Sequence, residues 1–170
     1  DSSARAGNGG STGMNDVALL KAILAICDLH ADRLEMALKH MEKILPITAD
    51  VLEDLENEDL GFLEIITTRF AKLQDTISQK LFPMILGILG EDAAHYTFLD
   101  RLNKLVKIEI IDSVDFWKDM RKIRNSIAHE YPDDLETTAK QINACAEQAY
   151  VLMAFLKKLQ VFVDTKILVL

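Results

Sequence analysis

Between Trp117 and Tyr131 the chain reads WKDMRKIRNSIAHEY, where Lys118, Arg121, Lys122 and Arg124 stand against only Asp119 and Glu130. The whole chain carries a formal net charge of −8, so this local excess of cations marks a place where an anion could be held. The same segment holds His129, and an imidazole with an unperturbed pKa of about 6.5 can accept or release a proton near neutrality. The guanidinium of Arg124 is always charged, and its planar fork matches two phosphate oxygens at once. These groups are enough for metal-independent RNA cleavage. A base takes the ribose 2′-hydroxyl proton, that oxygen attacks the adjacent phosphorus, and the arginine offsets charge on the non-bridging oxygens as the 5′-oxygen leaves. DNA lacks the attacking hydroxyl and would be spared.

Positioning these groups is not automatic. Arg124 and His129 are five residues apart, which on a regular helix turns them about 140° from each other. Arg121, Asn125 and His129 do align at i, i+4 and i+8. Asn125 is therefore expected to help orient the imidazole while the long Arg124 side chain bends toward it. Arg121, Lys122 and Lys118 are the expected phosphate-binding groups around that pair. The helix that carries them should stop near Tyr131, because the residue before Pro132 avoids the α region.

The elements around this segment are read from apolar spacing. Val17, Leu20, Leu24, Cys27, Leu34, Leu38, Met41 and Leu45 recur at threes and fours, which predicts a helix from Asn15 to Leu45, closed by Pro46. After the acidic turn TADVLEDLENED, Asn57 is placed to cap a second long helix through Leu60, Leu63, Ile66, Phe70, Leu73, Ile77 and Leu81, which Pro83 should kink or end. Gly87 and Gly90 break the pattern. A short third helix follows from about Thr97 to Val106. Asp112 or Ser113 caps a fourth, carrying Phe116, Trp117, Met120, Ile123 and Ile127, with Trp117 expected in the core or at a dimer interface. A fifth runs from about Leu135 to Phe162. The fold class is all-α: an antiparallel up-and-down bundle of four to five helices.

Composition sets further limits. A chain of 170 residues, 49% hydrophobic and 27% charged, suits one domain. Residues 1–13, DSSARAGNGGSTG, read as a disordered expression scar ahead of Met14, leaving residues 14–170 as the single domain. Cys27 and Cys145 sit singly in apolar stretches, which points to buried, reduced thiols. His30, His40 and His95 lack the spacing of a helical metal site, so no metal and no cofactor are expected. No membrane span is predicted, and the expected location is cytoplasmic. The negative net charge argues against indiscriminate coating of nucleic acid.

Arg124-Asn125-Ser126-Ile127-Ala128-His129-Glu130-Tyr131 matches R-x4-H-x-Y, and in this the chain resembles the HEPN superfamily, in its HepT-like toxin branch. The segments RFAKLQDTISQKLF (residues 69–82) and RLNKLVKIEIIDSVDFW (residues 101–117) resemble the second-helix signature of that branch and its lead-in to the motif. The resemblance implies a helical homodimer whose paired motifs face a shared cleft. It also implies metal-independent endoribonuclease activity toward mRNA or tRNA, with Arg124 and His129 as the catalytic pair. The implied partner is a cognate minimal nucleotidyltransferase, an antitoxin that transfers AMP from ATP to the motif tyrosine, here Tyr131. Arg69 and Asp75 in the second-helix segment are expected to be structural or to line the cleft. A reading of another class remains: a non-catalytic helical module that binds a nucleotide or docks the nucleotidyltransferase through the same basic helix.

Overall fold

A computed structural model describes residues 9–169, and every regular element among them is helical. The helices are α1 (Gly9–Met41), α2 (Ala49–Glu53), α3 (Asn57–Thr76), α4 (Phe82–Ile88), α5 (Phe98–Lys107), α6 (Val114–Ser126) and α7 (Leu135–Phe162). A π turn over Ile77–Leu81 joins α3 to α4, a 3-10 turn over Ala93–His95 precedes α5, and a second π turn over Val163–Ile167 follows α7. None of the described helices is long and apolar enough to cross a membrane. Residues 1–8 of the segment read as a scar lie outside the described residues, and α1 begins at Gly9, ahead of Met14.

The hydrophobic core follows the helical spacing. Leu20, Cys27, Leu34, Leu38 and Met41 of α1 pack with Leu63, Ile66, Phe70 and Leu73 of α3, all at most 4% exposed. On its other sides α3 meets α6 and α7. The small Ala146 and Ala149 on the buried face of α7 let a neighbour approach closely. Cys27 and Cys145 are free and buried, and desolvation pushes both thiols up to about 12. They are inert packing groups at neutral pH.

One aromatic cluster seats α6. Trp117 is fully buried, with ring centroids 4.8 Å from Phe82 and 5.4 Å from Phe155. Its indole Nε1–H donates to Ser78 Oγ at 3.2 Å, so the polar end of the largest core side chain is satisfied inside the π turn. Trp117 is thus a core residue that locks α6 onto the α3–α4 junction.

Two caps place α5 and α6. Thr97 and Asp100 form a reciprocal capping box at the start of α5, and Ser113 Oγ accepts from Phe116 N–H at 3.1 Å at the start of α6. Ahead of the first cap, Glu91 accepts from Tyr96 Oη and from Lys104 Nζ, both at 2.6 Å. Those two partners, Lys104 first, hold the Glu91 carboxyl below its ordinary pKa range. The clasp ties the α4–α5 connection to the body of α5.

Several boundaries depart from the sequence reading. The first helix stops at Met41 rather than Leu45, because the chain turns there with Ile44 and Leu45 N–H both donating to the Met41 carbonyl. The acidic turn contains α2, capped by Thr48. Asn57 is the first residue of α3 and not its cap: Glu56 holds the extended cap conformation, with no side-chain cap bond. Pro83 neither ends nor breaks the helical path. The wider π turn just ahead of it accommodates a residue with no N–H to give, and helix resumes to Ile88.

Candidate functional site

The segment RNSIAHEY straddles the end of a helix. Arg124, Asn125 and Ser126 close α6, whereas Ala128 and His129 donate N–H to carbonyls three residues back, Asn125 and Ser126. Side chains enforce that change of pitch. Ser126 Oγ donates to the Ile123 carbonyl at 2.8 Å, and Gln141 Nε2 of α7 donates to the Ser126 carbonyl at 2.8 Å. The Ile123 carbonyl also keeps its regular bond from Ile127 N–H, whereas the Ser126 carbonyl accepts from His129 N–H and from Gln141 instead of from an N–H four residues on. The connection then closes as Asp134 caps α7, accepting from Thr137 N–H at 2.9 Å.

This end corrects two expectations. The helix stops at Ser126 and not near Tyr131, so Asn125 and His129 no longer share a face at i, i+4. Asn125 lines the cavity that holds Arg124, and His129 lines a different one. Orientation of the imidazole by Asn125 is not what the geometry provides.

Arg124 does bend, but toward α3. Its Nε and Nη2 donate to the two carboxylate oxygens of Asp75, each at 2.8 Å, in a bidentate fork. The Asp75 carboxylate raises the arginine's pKa further above its ordinary value, so the guanidinium is charged at every working pH. Both side chains remain about 30% exposed, 29% for Arg124 and 31% for Asp75, and a competing anion can reach the arginine. Asp75 therefore lines the cavity that holds Arg124 and is the direct partner of that arginine.

The cavity around this pair has a volume of about 550 Å³ and lies between α3, α5 and α6. Arg121 and Arg124 reach it together because i and i+3 lie on one helix face. Arg121 also rests on Phe98, with its guanidinium carbon 4.1 Å from the ring centroid. Lys118 and Lys122 project from α6 as exposed residues and line neither this cavity nor that of His129. Of the three expected phosphate-binding cations, the structure brings only Arg121 to Arg124.

His129 is exposed and borders a second cavity, of about 610 Å³, with Tyr131, Pro132 and α3 residues such as Leu63 and Thr67. Among the described residues its ring has no hydrogen-bond partner, so both nitrogens are available to a ligand. Tyr131 is 41% exposed. Its carbonyl accepts from Asp134 N–H and from Thr138 Oγ1, which pins the backbone and leaves the phenol at the surface.

The other histidines are occupied elsewhere. His30 Nδ1 lies 3.0 Å from Arg69 Nη1, and burial, followed by the charges of Arg69 and Lys72, lowers its pKa, so it is a neutral acceptor that ties α1 to α3. Arg69 is structural in that pair. His40 stacks on Phe62 at 3.7 Å with Asp59 beside it, and His95 sits exposed next to Asp92.

Compared with protein-family models, curated proteins and solved structures, the chain matches none. The likeness to the HEPN superfamily therefore rests on the motif and the flanking segments themselves.

Proposed function

We propose that the chain is a metal-independent endoribonuclease toxin acting on mRNA or tRNA, with Arg124 as the phosphate-binding group and His129 as the proton-transfer group. The observation that carries this reading is the pairing of an accessible, permanently charged Arg124 in a cation-rich cavity with an exposed His129, without a hydrogen-bond partner among the described residues, just beyond the same helix end. Within one protomer these groups border different cavities. The proposed reaction therefore uses a homodimer of antiparallel helical bundles, in which the motif segments of two protomers meet over one phosphodiester.

In that cleft His129 takes the 2′-hydroxyl proton, the 2′-oxygen bonds to phosphorus, and the 5′-oxygen leaves with a proton returned by imidazolium or water. Arg124 stabilises the charge that builds on the non-bridging oxygens. The proposed partner is a minimal nucleotidyltransferase antitoxin in the same cytoplasm. It would silence the toxin by AMP transfer: the Tyr131 phenolate oxygen bonds to the α-phosphorus of ATP and pyrophosphate leaves. The added bulk and negative charge beside His129 would then exclude substrate.

A second reading, a non-catalytic module that binds a nucleotide or docks the nucleotidyltransferase, is favoured by the placement of Arg124 and His129 at different cavities of one protomer. Incubation of the unmodified protein with RNA and with DNA of the same sequence, in excess chelator, separates the two readings. The ribonuclease cuts the RNA alone. A protein that leaves both intact is the binding module.

A further inference from the structure

The cavity that His129 borders differs in character from the one that holds Arg124. Its floor is apolar: Leu52, Leu63 and Ile142 are each at most 7% exposed, and Ile127 is half-buried. Its charged rim is acidic. Glu53, Glu64 and Glu130 line it as exposed residues, and among the described residues none of them is in an ion pair and no lysine or arginine lines the cavity. Gln141 adds a neutral acceptor, because its Nε2 is engaged by the Ser126 carbonyl and its Oε1 has no partner among the described residues. A cavity with apolar walls and acceptors at its edge rejects phosphate and suits a flat ring that carries hydrogen-bond donors.

The proposed reaction brings such a ring to it. The nucleotide whose 2′-oxygen attacks must lie against His129, on the 5′ side of the scissile phosphate, so its base falls beside the cavity that His129 borders. We infer that this cavity is the specificity pocket for that base and selects guanine through the carboxylate of Glu64; the position of the base rests on the ribonuclease reading. Of the four RNA bases, guanine alone carries two donors side by side on its Watson–Crick edge, N1–H and N2–H, and a carboxylate accepts from such a pair with both oxygens. Adenine and cytosine set an amine beside an acceptor nitrogen, and uracil sets its one N–H between two carbonyl oxygens. Each of these leaves an acceptor facing the carboxylate.

Glu64 is the acceptor that can be held in place. It belongs to the 20-residue α3, whereas Glu53 closes the five-residue α2 and Glu130 lies in the connection between α6 and α7. Tyr131 lines the same cavity and gives the base a ring to lie against. The volume of about 610 Å³ admits a base with its sugar.

Hexanucleotides UUXUUU built wholly of 2′-O-methyl RNA have no free attacking oxygen and separate binding from cleavage. Their affinities, with X as guanine, hypoxanthine, adenine or uracil, are measured by calorimetry for wild type and Glu64→Gln. Wild type binds the guanine strand about tenfold more tightly than the uracil strand, the discrimination that one bidentate contact supplies. Hypoxanthine, which keeps N1–H and lacks the amine, falls between them. Glu64→Gln lowers affinity for the guanine strand by about tenfold and does not lower it for the uracil strand, since losing a negative charge eases the approach of phosphates. Glu64 is exposed, so the variant melts as wild type does.

The opposite signs distinguish a reading group from mere repulsion: a carboxylate that only repels RNA raises both affinities when it is neutralised, and that result overturns the pocket. Equal wild-type affinity for all four strands overturns it as well, and leaves the ribonuclease standing if the protein still cuts ordinary RNA. Binding of a tetra-arginine peptide that Glu64→Gln abolishes, with no preference for the guanine strand, also overturns it and gives the cavity to a basic protein segment. A Glu64-dependent preference for guanine in a protein that cuts no RNA upholds the pocket and removes the ribonuclease.

Discussion

His129→Ala lowers RNA cleavage by a factor of about 10²–10⁴, the range that one positioned proton-transfer group contributes. The fold does not change with it. His129 is exposed, stands beyond the last residue of α6, and is held by its backbone N–H on the Ser126 carbonyl, a bond that alanine keeps. A surface replacement of this kind shifts a domain of this size by no more than about 2 °C in unfolding midpoint. Cleavage assays on size-exclusion-purified protein, with melting curves recorded in parallel, check both halves. His129→Gln serves as a stricter control: it retains hydrogen-bonding groups but cannot carry a proton near neutral pH, so it falls with alanine.

Arg124→Ala has two effects that can be separated. Cleavage falls by about 10²–10³, as when one preorganised donor to a developing charge is removed. Stability also falls, because the half-buried Asp75 carboxylate loses both of its charge-assisted hydrogen bonds. With about 30% of each side chain exposed, solvent screening discounts that loss to the order of 1 kcal/mol. The double variant Arg124→Ala/Asp75→Asn tells the two apart. It recovers the melting point, since no unpaired charge remains, yet stays inactive. Arg124→Lys keeps the charge but cannot reproduce a planar fork, so its activity lies between wild type and alanine. If Arg124 matters only as the partner of Asp75, activity recovers together with stability in the double variant.

The Asp75–Arg124 fork also bears on substrate entry. Asp75 occupies only the Nε–Nη2 edge of the guanidinium, so a phosphate can approach Nη1 of Arg124 without displacing the carboxylate.

Much of the fold was legible because apolar period alone decides it. The spacing of α7 predicted about Leu135 to Phe162, the bounds that the helix has, and Ser113, one of the two residues placed to cap the fourth helix, is its cap, while Thr97, read as the first residue of the third helix, is the cap of α5. The departures have a common cause: contacts from other elements override local preference. Gln141 of α7 takes the Ser126 carbonyl and helps end α6 early, and the π turn before Pro83 lets helix pass a residue that ordinarily stops it. Neither partner is visible in a local window.

The candidate site was legible only in part. Arg124, His129 and Tyr131 form a short motif whose chemistry can be argued residue by residue. Glu64 could not be found that way, since it resembles any polar residue on an amphipathic helix. Asp75 meets Arg124 across 49 positions, and Arg101 meets Ser78 across 23. Only the packing of α3 against α5 and α6 gives these residues a shared cavity. The i, i+4 argument for Asn125 failed for the opposite reason: it assumed a helix longer than the one that forms.

The central claim is that a ribose 2′-oxygen attacks the neighbouring phosphorus with His129 as the base. The ends of the cleaved RNA report this directly. Mass spectrometry of the products formed by wild-type protein in excess chelator is predicted to show a 2′,3′-cyclic phosphate on one fragment and a 5′-hydroxyl on the other. Fragments ending in a 3′-hydroxyl and a 5′-phosphate would mean that water was the attacking group, and would contradict the account.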